Sequence, residues 1–236
     1  MLSHLPRPWT GLLLILLVLV TAALLLHPRG RTHLLYAFRT LRTAPRLSLG
    51  LLSSMLLLFP AGVLGGRMLP AVTQMLEGKA SQVLGMTGIS AARSDVLTFA
   101  AAIFVWNTLV GLLLTTTVPS LLLGYGGVAV LLPRSFAVGM ALSGLPNAVL
   151  LAHLPTVVIE LSAYMVVPLA TLIHTRAQAR QLQLRARSVM TLGSVKALVL
   201  ASVNSACRSS VTGALMLLVA ALYESPEVLL LVPTLK

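Results

Sequence analysis

The sequence predicts an all-α fold, a polytopic membrane helix bundle with six transmembrane helices plus basic interfacial helices, and three observations carry that expectation. Hydrophobic residues make up 57% of the chain and charged residues only 9%, with a mean hydropathy of +0.96, whereas about 25% of residues are charged in a soluble domain. Uncharged runs recur at the length of about 20 residues that a helix needs to cross a bilayer. Most Lys and Arg gather in two stretches, the pattern left by the positive-inside rule. At 236 residues the chain holds these spans with short connections as a single membrane domain, and no stretch can build a separate water-soluble core. The net charge of +12 then points to anionic lipid as a partner and not to nucleic acid. A lone Cys207 excludes an intramolecular disulfide and a multi-cysteine metal site, and is expected to pack as a small apolar residue.

Residues 9–26 are uncharged, with Arg7 before them and HPRGR after. They read either as a secretory signal or as a retained first span. Retention is favoured because the apolar run exceeds a usual signal core, no small-x-small site closes it, and more positive charge follows than precedes. Residues 31–46 set Leu34, Leu35, Phe38 and Leu41 at helical spacing against Arg31, Arg39 and Arg42. This is an amphipathic basic helix, expected to lie in the headgroup plane with Arg31, Arg39, Arg42 and Arg46 on anionic lipid. Residues 47–66 form the second span, with Pro60 as a tolerated kink. Residues 67–95 mix charges to near neutrality and read as a surface helix on the outer side.

From Val96 to Pro133 no residue is charged, too long a run for one span. Pro119 and the GYGG of Gly124 to Gly127 mark a break, giving spans at 98–118 and 122–145, with glycines that allow close helix approach. Arg134 then falls near the middle of the fourth span. A competing reading turns the chain at Pro133 and leaves Arg134 in water. The fifth span, 151–173, carries Glu160. After it comes the second basic run, with Arg176, Arg180, Arg185 and Arg187 expected at the lipid interface, followed by Lys196 and Arg208. Residues 189–207 read as an interfacial helix more than a span, and 209–231 as the last span, carrying Glu224.

Placing both basic runs inside fixes every direction: six alternating spans, with the N-terminus and C-terminus outside. Arg134 and Glu160 then lie within roughly 5 Å of one another in depth at 1.5 Å rise per residue. Ionisable groups in hydrocarbon cost several kcal/mol unless paired, so an Arg134 to Glu160 ion pair near the midplane is expected. Glu224 either joins that cluster or snorkels outward, and Asn107 is an interhelical hydrogen-bond candidate. His153 reads as a packing residue, since no second His or Cys stands at metal-ligand spacing, so no metal and no cofactor is expected. HExxH, GxSG and Walker motifs do not occur in the sequence, which argues against an enzyme and assigns any nucleotide-driven step to a separate chain.

PTVVIELSA at residues 155–163 resembles the PHGxxELPA signature of the stage II sporulation protein M family, with Pro155 and Glu160 at the family's separation. Asn107 stands where that family opens a span with an Asn pair. Gly124 to Gly127 and Gly139 match its glycine-rich region, and LLVAALYESPEVLLL at residues 217–231, with Glu224, is similar to its closing span. The resemblance covers residues 47–231. Thr156-Val157 replaces the family's His-Gly, Arg134-Ser135 its Asn-Gly, and Thr108 its second Asn. The resemblance implies a non-enzymatic membrane scaffold or assembly partner of other envelope proteins, such as a cell-wall hydrolase or a second copy of itself. The alternative it implies is the permease subunit of an ABC-type exporter, docking a separate ATPase through the two basic runs.

Overall fold

The computed structural model describes residues 28–75, 78, 96–186, 192–226 and 228, which are helical with short turns and contain no strand. In order they form α1 (Pro28–Arg42), α2 (Pro45–Met68), α3 (Val96–Trp106), α4 (Tyr125–Ala141), α5 (Asn147–Ala186) and α6 (Leu192–Pro226). α3 continues as a π-helix, Asn107–Thr117, and a last α turn, Val118–Ser120. Four stretches are long and apolar enough to cross a bilayer: Pro45–Met68, Thr98–Ser120, Asn147–Gln183 and Gly193–Pro226. The described residues are thus all helical, and the four long apolar helices fit a membrane protein. Expected spans at 47–66, 98–118 and 151–173 fall inside these helices, and 209–226 of the expected last span falls inside α6. The span expected at 122–145 narrows to α4, which has 17 residues. The span expected at 9–26 lies outside the described residues, as does most of the outer surface helix expected at 67–95.

α5 is the centre of the bundle. Every residue from Ala163 to Ile173 is buried, and α6 packs along α5 more extensively than any other pair of described helices. Matching residues fix the directions. Asn107 meets Glu160 and Leu123 meets Thr175, so α3 and its π continuation run parallel to α5. Ser202 meets Ser120 while Ser210 meets Thr117, so α6 runs the opposite way. Gly127 faces Pro168, and Arg134 lies over Tyr164, which sets α4 antiparallel to α5. α2 runs with α4, since Ser135 bonds to Met55 O and Ser143 to Thr73, beyond the end of α2.

Lipid offers apolar helices no hydrophobic reason to associate, so close backbone approach between small residues must supply the adhesion. Gly62 on α2 faces Phe136 and Gly139 on α4, and Gly66, four residues on, faces Met140 and Ser143, the latter in the turn just after α4. A methyl group at Gly62 would overlap the Phe136 carbonyl oxygen, one at Gly139 the Phe59 carbonyl oxygen, and one at Gly66 the Ser143 side chain. Ser135 Oγ donates to Met55 O at 2.6 Å across the same seam.

The turn between Ser120 and α4 is closed by residues that can serve it. Gly124 takes φ of 81°, a left-handed conformation that glycine adopts without a Cβ penalty. The carbonyls freed at this turn accept side-chain hydroxyls: Ser202 Oγ donates to Leu121 O at 3.0 Å and Thr175 Oγ1 to Leu123 O at 3.1 Å. α4 runs through Pro133 without turning, so Arg134 sits within a helix.

The two expected interfacial elements take other forms. The amphipathic helix expected at 31–46 is α1, which ends at Arg42, and its buried face packs on protein. Ala37 is 0% exposed against Val166 and Ala170. The Tyr36 hydroxyl donates to Ser205 Oγ at 3.1 Å, its ring meets His174 edge-on at 6.1 Å, and the Arg208 guanidinium lies 5.5 Å from the ring centre. α1 therefore lies lengthwise beside α5 and α6, and α2 continues along α5 after a break at Thr43-Ala44. Residues 189–207 are no separate interfacial helix, because residues 192–226 form one helix of 35 residues. Cys207, expected to pack, is exposed.

The α2–α4 seam yields a stability test. Gly62→Ala and Gly139→Ala each lower unfolding stability in detergent by about 1–3 kcal/mol, the usual cost of overpacking. Gly50→Ala, where nothing lies within 4 Å of the added methyl, leaves stability unchanged or raises it by up to about 1 kcal/mol through helix propensity. Equal effects at all three positions would remove the seam's claimed role.

Candidate functional site

Asn107, Glu160 and Arg134 come together inside the bundle, held by the π-helix, α5 and α4. The π-helix is the unusual element. Its ladder runs from residue i to i+5, and such segments occur frequently at functional sites. Thr116 Oγ1 donates to Gly111 O at 2.7 Å and Thr117 Oγ1 to Leu112 O at 2.9 Å, so two threonine hydroxyls repeat the i to i−5 register of the backbone. Asn107, at the start of this segment, donates from Nδ2 to Glu160 Oε1.

Arg134 reaches the same π-helix from α4. Its Nη1 donates to Thr115 Oγ1 and, at 3.4 Å, to Gly111 O. The guanidinium also lies over the Tyr164 ring, 4.4 Å from its centre, a cation–π arrangement that strengthens when water is excluded. Tyr164 is 2% exposed, and its hydroxyl packs where any side chain at Gly111 would stand. Among the described residues neither that hydroxyl nor Thr108 Oγ1 has a partner within hydrogen-bonding geometry.

The expected ion pair takes a different form. Arg134 and Glu160 lie within electrostatic range of one another, yet their hydrogen bonds go to other residues: Glu160 accepts from Asn107, and Arg134 donates to Thr115 and Gly111. Tyr164 lies within electrostatic range of Arg134, Glu160 and also Glu224. Depth matching in the sequence found the two charges. It missed Thr115, Gly111 and Tyr164, since the azimuth of a side chain around its helix follows from packing and from the π register.

The other expected residues scatter. Gly139 is buried in the α2–α4 seam, and Pro155 is exposed on α5. Thr156 beside it is fully buried. Arg39, Arg42, Arg46, Arg176 and Arg180 are all exposed. Arg176 Nε donates to the Tyr125 hydroxyl at 3.0 Å. Arg31 and Arg185 lie in α1 and α5, while Arg187 lies outside the described residues. Among the described residues no group of three His, Cys, Asp or Glu side chains could hold a metal ion.

Two grooves lie outside the network. One, of about 770 Å³, separates α1 and the start of α2 from α5 and α6. The other, of about 600 Å³, runs between α2 and α5 from Leu56 and Leu161 to Arg67 and Asn147, where Arg67 Nη2 donates to Asn147 Oδ1 at 2.7 Å.

A double-mutant cycle tests the network. Asn107→Ala removes the donor to a half-buried carboxylate and lowers stability in detergent by about 1–3 kcal/mol. In a Glu160→Ala background the same substitution costs much less, a coupling of about 0.5–3 kcal/mol. Strict additivity would show that the two side chains do not depend on each other.

No protein-family model, curated protein or solved structure matches this chain.

Proposed function

We propose that the chain is a multi-pass membrane protein of the stage II sporulation protein M type, a non-enzymatic scaffold or assembly partner for other envelope proteins. The observation that carries this reading is how the interior polar side chains are used. Asn107, Glu160, Arg134 and Thr115 bond to one another and to backbone across three helices, and both grooves are lined by other residues. Polar groups spent in this way hold helices in register, as interhelical hydrogen bonds do in membrane bundles. The resemblance at Pro155, Glu160, Gly139 and Glu224 supports the same assignment. The partners are anionic membrane lipid and other envelope proteins, a cell-wall hydrolase or a second copy of the chain among them.

A second reading, the permease subunit of an ABC-type exporter with a separate ATPase, is favoured by one specific feature. α5 continues as helix past its apolar stretch to Ala186, and Arg176, Arg180, Lys196 and Arg208 are exposed on α5 and α6. A basic helical surface of this kind suits an acidic docking partner.

In either reading the basic ends are cytoplasmic, and both the N-terminus and C-terminus are outside. In a Cys207→Ser background, Arg180→Cys is expected to stay unlabelled by a membrane-impermeant maleimide in intact cells, while Leu69→Cys, at the opposite end of the bundle, is labelled. The reverse pattern inverts the topology. Affinity purification in mild detergent is expected to recover a cell-wall hydrolase under the scaffold reading and an ATPase under the permease reading. Recovery of neither from a monomeric preparation at physiological expression overturns both.

A further inference from the structure

The groove between the α1–α2 break and the α5–α6 pair has an apolar floor and a basic mouth. Leu35, Phe38, Leu52, Met165, Leu169 and Met216 supply the floor, Arg39 and Arg42 stand at the rim, and no acidic residue lines it. The described carboxylates, Glu160 and Glu224, lie instead in electrostatic range of the interior Tyr164. Both arginines are exposed, although α1 lies beside the buried apolar stretch of α5 that contains Val166 and Ala170. Two exposed guanidinium groups lining an apolar groove are complementary to an amphipathic anion.

The backbone at the break adds to the positive field. Helix dipoles place partial negative charge at the end of α1 and partial positive charge at the start of α2. Two carbonyls of the negative end are satisfied within the break: Thr40 O accepts Thr43 N at 3.0 Å, and Leu41 O accepts Ala44 N at 3.3 Å and Ser48 Oγ at 3.0 Å. The positive end carries no side-chain cap at Ala44, and Pro45 and Ser48 of this first turn line the groove. Arg39, Arg42 and the α2 N-terminus therefore converge on one mouth above an apolar slot of about 770 Å³, within the size range of small-molecule sites.

We infer that this groove binds one anionic glycerophospholipid, its phosphate on Arg39, Arg42 and the start of α2 and an acyl chain along the apolar floor. Charge complementarity selects the headgroup, and the apolar residues along α5 receive the chain. This site rests on the reading of the chain as a membrane protein with anionic lipid as a partner and gives that partner a place, and it needs neither the hydrolase nor the ATPase.

Purified protein in neutral detergent, titrated separately with phosphatidylglycerol and phosphatidylcholine, tests the site by native mass spectrometry. One phosphatidylglycerol per chain is expected, bound about ten-fold more tightly than phosphatidylcholine. Arg39→Gln with Arg42→Gln should lose about ten-fold in that affinity, while Arg176→Gln with Arg180→Gln, equally basic but outside the groove, retains it. Circular dichroism and thermal melts verify that both double variants fold. Equal affinity for the two lipids, equal loss in both double variants, or displacement of the lipid by inorganic phosphate each overturns the assignment.

Discussion

A carboxylate on the most enclosed helix of a membrane bundle obliges its neighbours to bring hydrogen-bond donors, because water and headgroups cannot reach it freely. Glu160 imposes that requirement on α3, which answers with Asn107 at the start of its π segment. Arg134 balances the charge from α4 without a direct hydrogen bond to the acid, anchored instead on Thr115, Gly111 and the Tyr164 ring. The π-helix, α4 and α5 are thereby keyed to one another at a single level. The π register follows the same need, since a carbonyl such as Gly111 O serves Thr115, Thr116 and Arg134 together.

Away from that level the helices adhere by two other means. The α2–α4 pair relies on the absence of side chains, with Gly62 and Gly139 admitting the opposite backbone. The α6 contacts rely on hydroxyls: Ser202, Ser210 and Thr117 bond across helices or to a turn carbonyl. Serines and threonines can do this inside apolar surroundings because each hydroxyl can donate to a carbonyl of its own helix or of a neighbour.

Hydropathy carried the fold a long way. The spans at 47–66, 98–118 and 151–173 were legible because charge-free runs of that length have few alternatives. Helix ends were less legible: α5 passes His174 and continues to Ala186, since a helix does not stop where hydropathy falls. For the same reason the polar residues from Gly193 to Asn204 remain part of α6. The periodicity of residues 31–46 gave a helix with an apolar face, but no sequence pattern told whether that face meets lipid or the pair of helices that Tyr36 and Ala37 contact. The seam was present in the sequence as small residues four apart at Gly62, Gly66, Ser135, Gly139 and Ser143, a spacing as regular as the glycines at Gly124 to Gly127 but spread over two helices. In the network, Arg134 and Glu160 were visible as charges in apolar runs, whereas Tyr164 and Thr115 look like ordinary span residues until the helices are assembled.

The length of α5 has a mechanical consequence. Its 40 residues extend about 60 Å at 1.5 Å per residue, twice the thickness of a hydrocarbon core of about 30 Å. Pro155 and Pro168 lie within it without ending it. One continuous helix therefore joins Glu160 to Arg180, with α6 packed along its side. A tug or twist applied at the basic tip travels down continuous backbone to the polar layer, with no slack loop between to absorb it.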